Sequence, residues 1–313
     1  MRKNLVKRGL GLVLSCAMAC SLAACAQQEA RPTETYTGSA SQELASTTGT
    51  DPSETQADIR VVAGTVAVAQ ILDKLGFKNV VGVPDSQYDL GSYQNAPRIG
   101  KPRTPDAEVV KSLNPDIFIS VTSLEEATAK SLSALNIKTR YLDLSSYDSI
   151  LSSIDELGTS LGLSEAAQKL KAEIETQAEL ALKKGEGKSA PKVLFLFGTP
   201  KSIMVGSAKS YVGSLLQKLK IPQVQADLPQ AYAPLSLENI VSENPDIILV
   251  MNHADPKTSK AMVQATFDKN EALKKVNAVK NDKIFYLSEK NFSATGNLYV
   301  GEALEELAQI AYD

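Results

Sequence analysis

The sequence predicts an α/β protein of two Rossmann-like α/β lobes joined by a single long helix, with a ligand cleft between the lobes. Three observations lead there. Residues 108–119 read Glu-Val-Val-Lys-Ser-Leu-Asn-Pro-Asp-Ile-Phe-Ile, and residues 238–249 read Glu-Asn-Ile-Val-Ser-Glu-Asn-Pro-Asp-Ile-Ile-Leu. Each copy sets a glutamate seven residues before Pro-Asp and then enters an unbroken apolar run, the form of a strand covered on both faces of a parallel sheet. Short β runs alternate with helical periods around both copies, the βαβ pattern. Between the two halves lies a stretch of almost wholly helical period.

Residues 1–24 read as a targeting segment and stay outside the fold argument. Arg2, Lys3, Lys7 and Arg8 give a positive start, Gly9–Leu14 begins an apolar core, and Leu22-Ala23-Ala24 brings small residues up to Cys25. Leu-Ala-Ala-Cys resembles the lipobox of bacterial lipoproteins. That resemblance implies a lipidated Cys25 and an extracytoplasmic protein anchored to the cell membrane by its acyl chains. Cys16 and Cys20 would leave with the signal peptide, which removes disulfides, iron–sulfur ligation and thiol catalysis. Residues 25–57 then form a linker. It is rich in Ser, Thr, Gln, Glu and Gly, and too poor in large aliphatics to order itself.

The remaining roughly 255 residues are enough for two cored domains. A formal net charge of −3 offers no basic surface for nucleic acid. No later apolar run approaches membrane-spanning length. The first lobe, 58–147, opens with a strand at Arg60–Ala63, a helix at Val66–Leu75 stopped by Gly76, and a strand at Val80–Val83. Asp85–Ala96 is polar and turn-rich. Thr104-Pro105-Asp106 reads as a helix start, a cap followed by proline at the first position, with the helix running to Leu113. Ile117–Val121 is the repeated strand, and Glu125–Leu135 and Arg140–Leu142 add a helix and a strand.

The inter-lobe segment, 148–187, carries Ile150, Ile154, Leu157 and Leu161 on one helical face. After Gly162, with Ser164 as the expected N-cap, Leu170, Ile174, Ala178 and Leu182 mark the long joining helix, ended by Gly185-Glu186-Gly187. The second lobe, 188–313, repeats the plan. Strands are expected at Lys192–Phe197, Ile203–Val205, Ile247–Met251 and Ile284–Tyr286, and helices at Tyr211–Leu219, Leu235–Glu243, Thr258–Asp268 and Asn297–Tyr312.

Ligands of open α/β sheets bind beyond the carboxyl ends of the strands. That rule puts Arg103 and Thr104 near Thr122 and Ser123 in one lobe, and Leu235 and Ser236 near Asn252 and His253 in the other. Glu108 and Glu238 are expected one turn into their helices, at equivalent points on the two rims. His253 is the only histidine. An imidazole after a buried strand is either a surface residue or a ligand for a metal centre, and one histidine is too few for a zinc or manganese cage. Arg103 is either a solvated arginine or a partner for an anionic ligand. No phosphate-binding glycine loop, nucleophile–histidine arrangement or carboxylate cluster is visible, so an enzyme is not expected.

With these features assembled, the chain resembles the substrate-binding lipoproteins of iron-complex ABC importers, the class III type of periplasmic binding protein. Within that family it is most similar to heme receptors of the iron-regulated surface type. The likeness is carried by Arg60-Val-Val-Ala-Gly-Thr-Val-Ala-Val, Gly82-Val-Pro, Gly100-Lys-Pro-Arg-Thr-Pro-Asp, Ser210-Tyr-Val-Gly and Thr295-Gly-Asn-Leu. It implies a monomeric receptor whose transported ligand is heme. His253 would ligate the iron, the helix start at Thr65 and Val66 would receive propionates, Tyr88 would stand nearby, and Glu108 and Glu238 would dock on arginines of the permease. Two departures stand out. Arg103 occupies the place of the family's methionine ligand and, being always protonated, cannot replace it. Gln87 and Tyr88 fall where the family has a tyrosine–lysine pair. A ferric siderophore or a corrinoid is therefore an alternative cargo, and a cell-surface enzyme or adhesive module on the same scaffold is an alternative of another class.

Overall fold

A computed structural model describes residues 59–313 apart from Ala254. The expected signal peptide, Cys25 and the linker lie outside the described residues.

The chain enters through β1 (Val61–Ala63), α1 (Val66–Lys74) and β2 (Val80–Gly82). A short hairpin follows, β3 (Gly100–Lys101) and β4 (Thr104–Pro105). Then come α2 (Ala107–Ser112), β5 (Ile117–Val121), α3 (Glu125–Leu132) and β6 (Lys138–Leu142). The four main strands form one sheet in the order β2-β1-β5-β6, parallel throughout. Val61, Val62, Ala63 and Phe118 are fully buried, and each large apolar side chain so covered contributes about 1.5–3 kcal/mol.

Two helices follow, α4 (Tyr147–Ser160) and α5 (Ser164–Lys184). Ser146 and Ser149 close a reciprocal capping box at the start of α4. Between the helices, Gly162 takes a positive φ of 68°, and the Leu163 N–H reaches back to the Gly158 carbonyl at 2.6 Å. The helices therefore run antiparallel and close together: a Cβ on Gly158 would come within 2.4 Å of that of Ala167. The 21 residues of α5 extend about 31 Å.

The second half contains β7 (Val193–Gly198), β8 (Ile203–Gly206), α6 (Tyr211–Lys218), β9 (Tyr232–Pro234), α7 (Leu237–Glu243) and β10 (Ile247–Asn252). It ends with α8 (Pro256–Asp268), α9 (Asn277–Lys280), β11 (Ile284–Tyr286) and α10 (Val300–Tyr312). Its sheet has the order β11-β10-β7-β8-β9. The first three strands are parallel, and β8 and β9 are antiparallel additions at the edge. α10 lies along α5 in the same direction, with Gly301 against Gln177 and Asp313 paired with Lys184 at 3.4 Å.

The repeated Asn-Pro-Asp performs the same task in both halves. Asn114 and Asn244 adopt left-handed φ values of 44° and 46°, a conformation asparagine tolerates better than other non-glycine residues. The chain leaves the helix there. The aspartate then locks the next strand to its neighbour. The Arg60 N–H donates to Asp116 Oδ2 at 2.8 Å, and the Lys192 N–H donates to Asp246 Oδ2 at 2.9 Å. Each aspartate returns its own N–H to the same residue's carbonyl, at 2.9 Å and 2.8 Å. The basic side chains finish the motif by capping the preceding helix. Arg60 donates to the Leu113 and Asn114 carbonyls at 2.7 and 3.0 Å, and Lys192 Nζ donates to the Glu243 carbonyl at 2.9 Å.

Several expectations are corrected. Thr104-Pro105 is a strand of the hairpin, not a helix start; Asp106 is the cap, accepting from the N–H groups of Glu108 and Val109. Glu108 and Glu238 are consequently the second residues of α2 and α7 rather than one turn in. Ser164 is the first helical residue of α5, and the cap position belongs to Leu163. The two helical runs on either side of Gly162 are α4 and α5 as expected, with α5 the longer. The last helix begins at Val300, so Asn297 lies in the preceding loop.

Asp116→Ala and Asp246→Ala should each lower stability by about 1 kcal/mol through loss of an accepted hydrogen bond. The double variant should add within about 0.5 kcal/mol because the sites share no partner. Urea unfolding monitored by circular dichroism measures both, and a change of under about 0.3 kcal/mol in either single variant would contradict the role given to the aspartate.

Candidate ligand-binding site

A cavity of about 650 Å³ opens between the two halves. It lies beyond the carboxyl ends of β1, β2, β10 and β11, the position the strand rule favours. Its first wall is the start of α1, with Val66, Ala67 and Gln70, together with Gln87, Tyr88 and Asp89 from the loop after β2. Asn252 and His253 line the opposite side. The rest of that wall comes from the loop between β11 and α10, including Lys290, Phe292 and Tyr299.

The α1 wall is shaped by close packing. Gly64 bonds its N–H to the Ile119 carbonyl at 2.7 Å, and a Cβ there would strike the Phe118 ring at 2.5 Å. Buried Thr65 is the N-cap, and its Oγ1 accepts from the Val68 N–H at 3.3 Å. The first turn of the helix, with its concentration of N–H groups and positive dipole end, thus forms part of the cavity wall.

His253 is held by its backbone and by one ring. Its N–H donates to the Gly198 carbonyl at 2.8 Å, and its carbonyl accepts from Ser259 Oγ at 3.1 Å. The imidazole stacks on Phe197, with ring centroids 5.4 Å apart and planes 29° apart. The residue stands exposed at the cavity mouth, yet the Phe197 side of the ring is dry enough that burial lowers its pKa below the usual histidine value. The neutral imidazole, the form that carries a free lone pair for a metal, is therefore favoured. Tyr232 packs on Phe197 as well, centroids 4.6 Å apart. Burial pushes its phenol up to about 12, so it stays protonated.

Other polar groups face the same space. Asn252 lines the cavity, but its Oδ1 is buried on the Gly198 side and accepts no hydrogen bond from the described residues. Asp89 Oδ1 is occupied by the Gly91 N–H at 2.9 Å. Lys290 is held by Glu302 at 2.6 Å, with its ammonium 4.4 Å from the centre of the Tyr299 ring. Tyr88 is 47% exposed. Among the described residues, no cluster of three or more His, Cys, Asp or Glu can hold a bare metal ion.

The residues singled out from sequence are thus only partly brought together. Val66, Tyr88 and His253 line the cavity, and Thr65 caps the helix that forms its wall. Arg103 sits exposed in the turn of the β3–β4 hairpin and is not among the lining residues. Glu108 and Glu238 are exposed at matching places on α2 and α7. Sequence reasoning did not select the wall at 289–299. The Ser/Thr/Asn/Gly-rich run at 293–297 is a loop signal, but nothing local reveals which way it folds.

Known proteins resemble this chain in sequence and fold. The chain is 33% identical over 257 residues to the high-affinity heme uptake system protein IsdE of Staphylococcus aureus strain Newman, covering 82% of this chain and 88% of that protein. The crystal structure of S. aureus IsdE complexed with heme matches with a TM-score of 0.77 at 32% identity, over 82% of this chain and 100% of the other. An ABC transporter substrate-binding protein from Listeria monocytogenes EGD-e matches with a TM-score of 0.76 at 32% identity, over 82% and 99% of the two chains. A family model described as periplasmic binding protein covers residues 61–290. With its two α/β lobes of the class III type and a cavity between them, the chain belongs to the periplasmic binding proteins, which serve transport and are not enzymes.

Proposed function

We propose that this protein is the lipid-anchored receptor of an ABC importer, and that it captures heme and delivers it to the permease. The observation that carries the cargo is His253. The chain's only histidine stands at the mouth of a cavity of about 650 Å³, with a lowered pKa and a ring fixed against Phe197. The relative that shares a third of its sequence is described as a heme uptake protein. In this reading His253 coordinates the heme iron. The carboxylates of the ligand lie against the start of α1, where Thr65 shapes the turn and Val66 lines the wall. Tyr88 covers the ligand from the first lobe. Arg103, outside the cavity, adds positive charge to the rim as an anionic ligand approaches.

Glu108 and Glu238 serve as permease-docking residues in this reading. Both are exposed and sit at the second position of equivalent helices, so their carboxylates present a matched pair to cationic side chains of a partner. Cys25 supplies the membrane tether, and the receptor acts as an extracytoplasmic monomer. A second reading keeps the transport role and changes the cargo to a ferric siderophore or a corrinoid. It is favoured by one observation: among the described residues no methionine, Met204 and Met251 included, lines the cavity to offer a thioether opposite His253.

Adding hemin to the purified protein should shift the Soret band, and His253→Ala should weaken binding at least tenfold, about 1.4 kcal/mol. Absence of any spectral change in the wild type, with quenching of tyrosine fluorescence by a siderophore or corrinoid, would select the second reading. The pH dependence has a definite sign. Protonation removes the imidazole lone pair, and the lowered pKa delays that protonation, so affinity should hold through neutral pH and fall only below the ordinary histidine range. A loss of affinity beginning above pH ~7 would contradict histidine ligation. Glu108→Ala combined with Glu238→Ala should leave ligand affinity within about twofold, since neither lines the cavity, while abolishing uptake by cells. Uptake at the wild-type rate would sink the docking assignment.

A further inference from the structure

The cavity wall between β11 and α10 has no regular secondary structure over Leu287–Tyr299. No repeating backbone ladder holds it, so its side-chain bonds carry much of its shape. Those bonds converge on one carboxylate of α10. Glu306 Oε1 accepts from the Ser288 N–H at 3.0 Å. Glu306 Oε2 accepts from Ser288 Oγ at 2.6 Å and from Asn291 Nδ2 at 2.9 Å. Within the segment, the Phe292 N–H closes a turn onto the Ser288 carbonyl at 3.0 Å, and buried Asn297 donates to the Lys290 carbonyl at 3.0 Å. One helical turn before Glu306, Glu302 grips Lys290.

We propose that Glu306 is a positioning residue for the ligand cavity, and that its carboxylate fixes the Ser288–Asn291 turn so that Glu289, Lys290 and Phe292 present a preformed wall. Glu306 is not among the cavity-lining residues, so it acts on the ligand only through that turn. Charge-assisted bonds of this kind are the strong class, and three on one partly buried group make Glu306 the anchor. A preformed wall binds tightly because its ordering cost is met before the ligand arrives. The anchor also has a direction. α10 also packs on α5 through Gly301, so the wall is referred to the long helix that connects the two halves. The ligand named in the test comes from the function proposed above, whereas the positioning role rests on geometry alone and has a ligand-free readout.

The test compares the wild-type protein with Glu306→Gln, Glu306→Ala, the milder Ser288→Ala, and the swap Glu306→Gln with Asn291→Asp. Glutamine keeps one acceptor oxygen; with that oxygen on the Ser288 N–H, its NH2 group is set against the Asn291 amide donor, and in the swap an aspartate accepts from that NH2 group, so the donor–acceptor pair returns with its polarity reversed. Amide hydrogen exchange of residues 288–299, measured without ligand, should accelerate about tenfold in Glu306→Gln and Glu306→Ala. It should accelerate less in Ser288→Ala and return toward wild type in the swap, while β7 and β10 keep their protection throughout. Hemin affinity should follow the same order, with Kd rising about tenfold in Glu306→Gln and recovering in the swap. Unchanged exchange in Glu306→Ala would overturn the proposal. So would faster exchange with unaltered hemin affinity, or protection lost equally in β7 and β10, which would mark Glu306 as a general stabiliser. If the wild-type protein binds no hemin, the cargo reading fails and the exchange pattern with its rescue decides the positioning role by itself.

Discussion

The lock between an aspartate after a helix and the backbone beside it sets the geometry on which the rest of the molecule depends. Asp116 pairs with Arg60, and Asp246 with Lys192, through two hydrogen bonds each. These contacts start β1 and β5 level with each other, and likewise β7 and β10, as the registers Val61↔Ile117 and Val193↔Ile247 show. Parallel strands that start level and run through buried apolar residues bring their carboxyl ends to neighbouring positions. Gly64 and Thr65 emerge at one such end, and Asn252 and His253 at another. A slip of one residue in either pair would turn each side chain to the opposite face and displace the cavity residues with it.

The two walls of the cavity are built on different principles. The α1 wall is backbone brought close, made possible by Gly64, where a Cβ would meet the Phe118 ring, and by the Thr65 cap. It offers N–H groups and little side-chain chemistry. The opposite wall is made of side chains, His253 on its Phe197 support and the loop held by Glu306. One surface suits the charged edge of a ligand and the other suits a metal and an apolar face. That division fits the proposed cargo, a metal that arrives already complexed, since no cluster of His, Cys, Asp or Glu among the described residues can hold a bare ion.

The difference between what could and could not be read from the residues follows the range of the interactions. Ile117–Val121 and Ile247–Asn252 were legible because unbroken apolar runs leave few alternatives, and the Asn-Pro-Asp repeat marked where each begins. Thr104-Pro105 misled because a threonine–proline pair suits the first turn of a helix as well as the last residues of an edge strand. The choice falls to Asp106, whose carboxylate reaches the N–H groups of the helix. Ser164 misled similarly, since Gly162 and the Leu163 bond to Gly158 already make the turn. Arg103 was placed near the opening by its neighbours in sequence, whereas the hairpin carries it away from the cavity lining. The 289–299 wall was hidden because Glu306, the group that shapes it, lies 15 residues after Asn291 and 18 after Ser288, on a helix whose own pattern reads as ordinary packing.

One backbone bond gives that wall a second allegiance. The Gly296 N–H donates to the carbonyl of Leu144 at 2.7 Å, two residues beyond the last strand of the first sheet. Ile150, Tyr211 and the Leu144 carbonyl leave no room for a Cβ at Gly296. The loop that faces the ligand from the second half is therefore also stitched to the end of the first. A polar pair parted in so crowded a place loses a bond without water to replace it, so this stitch holds the second-half wall and the end of the first sheet as one piece.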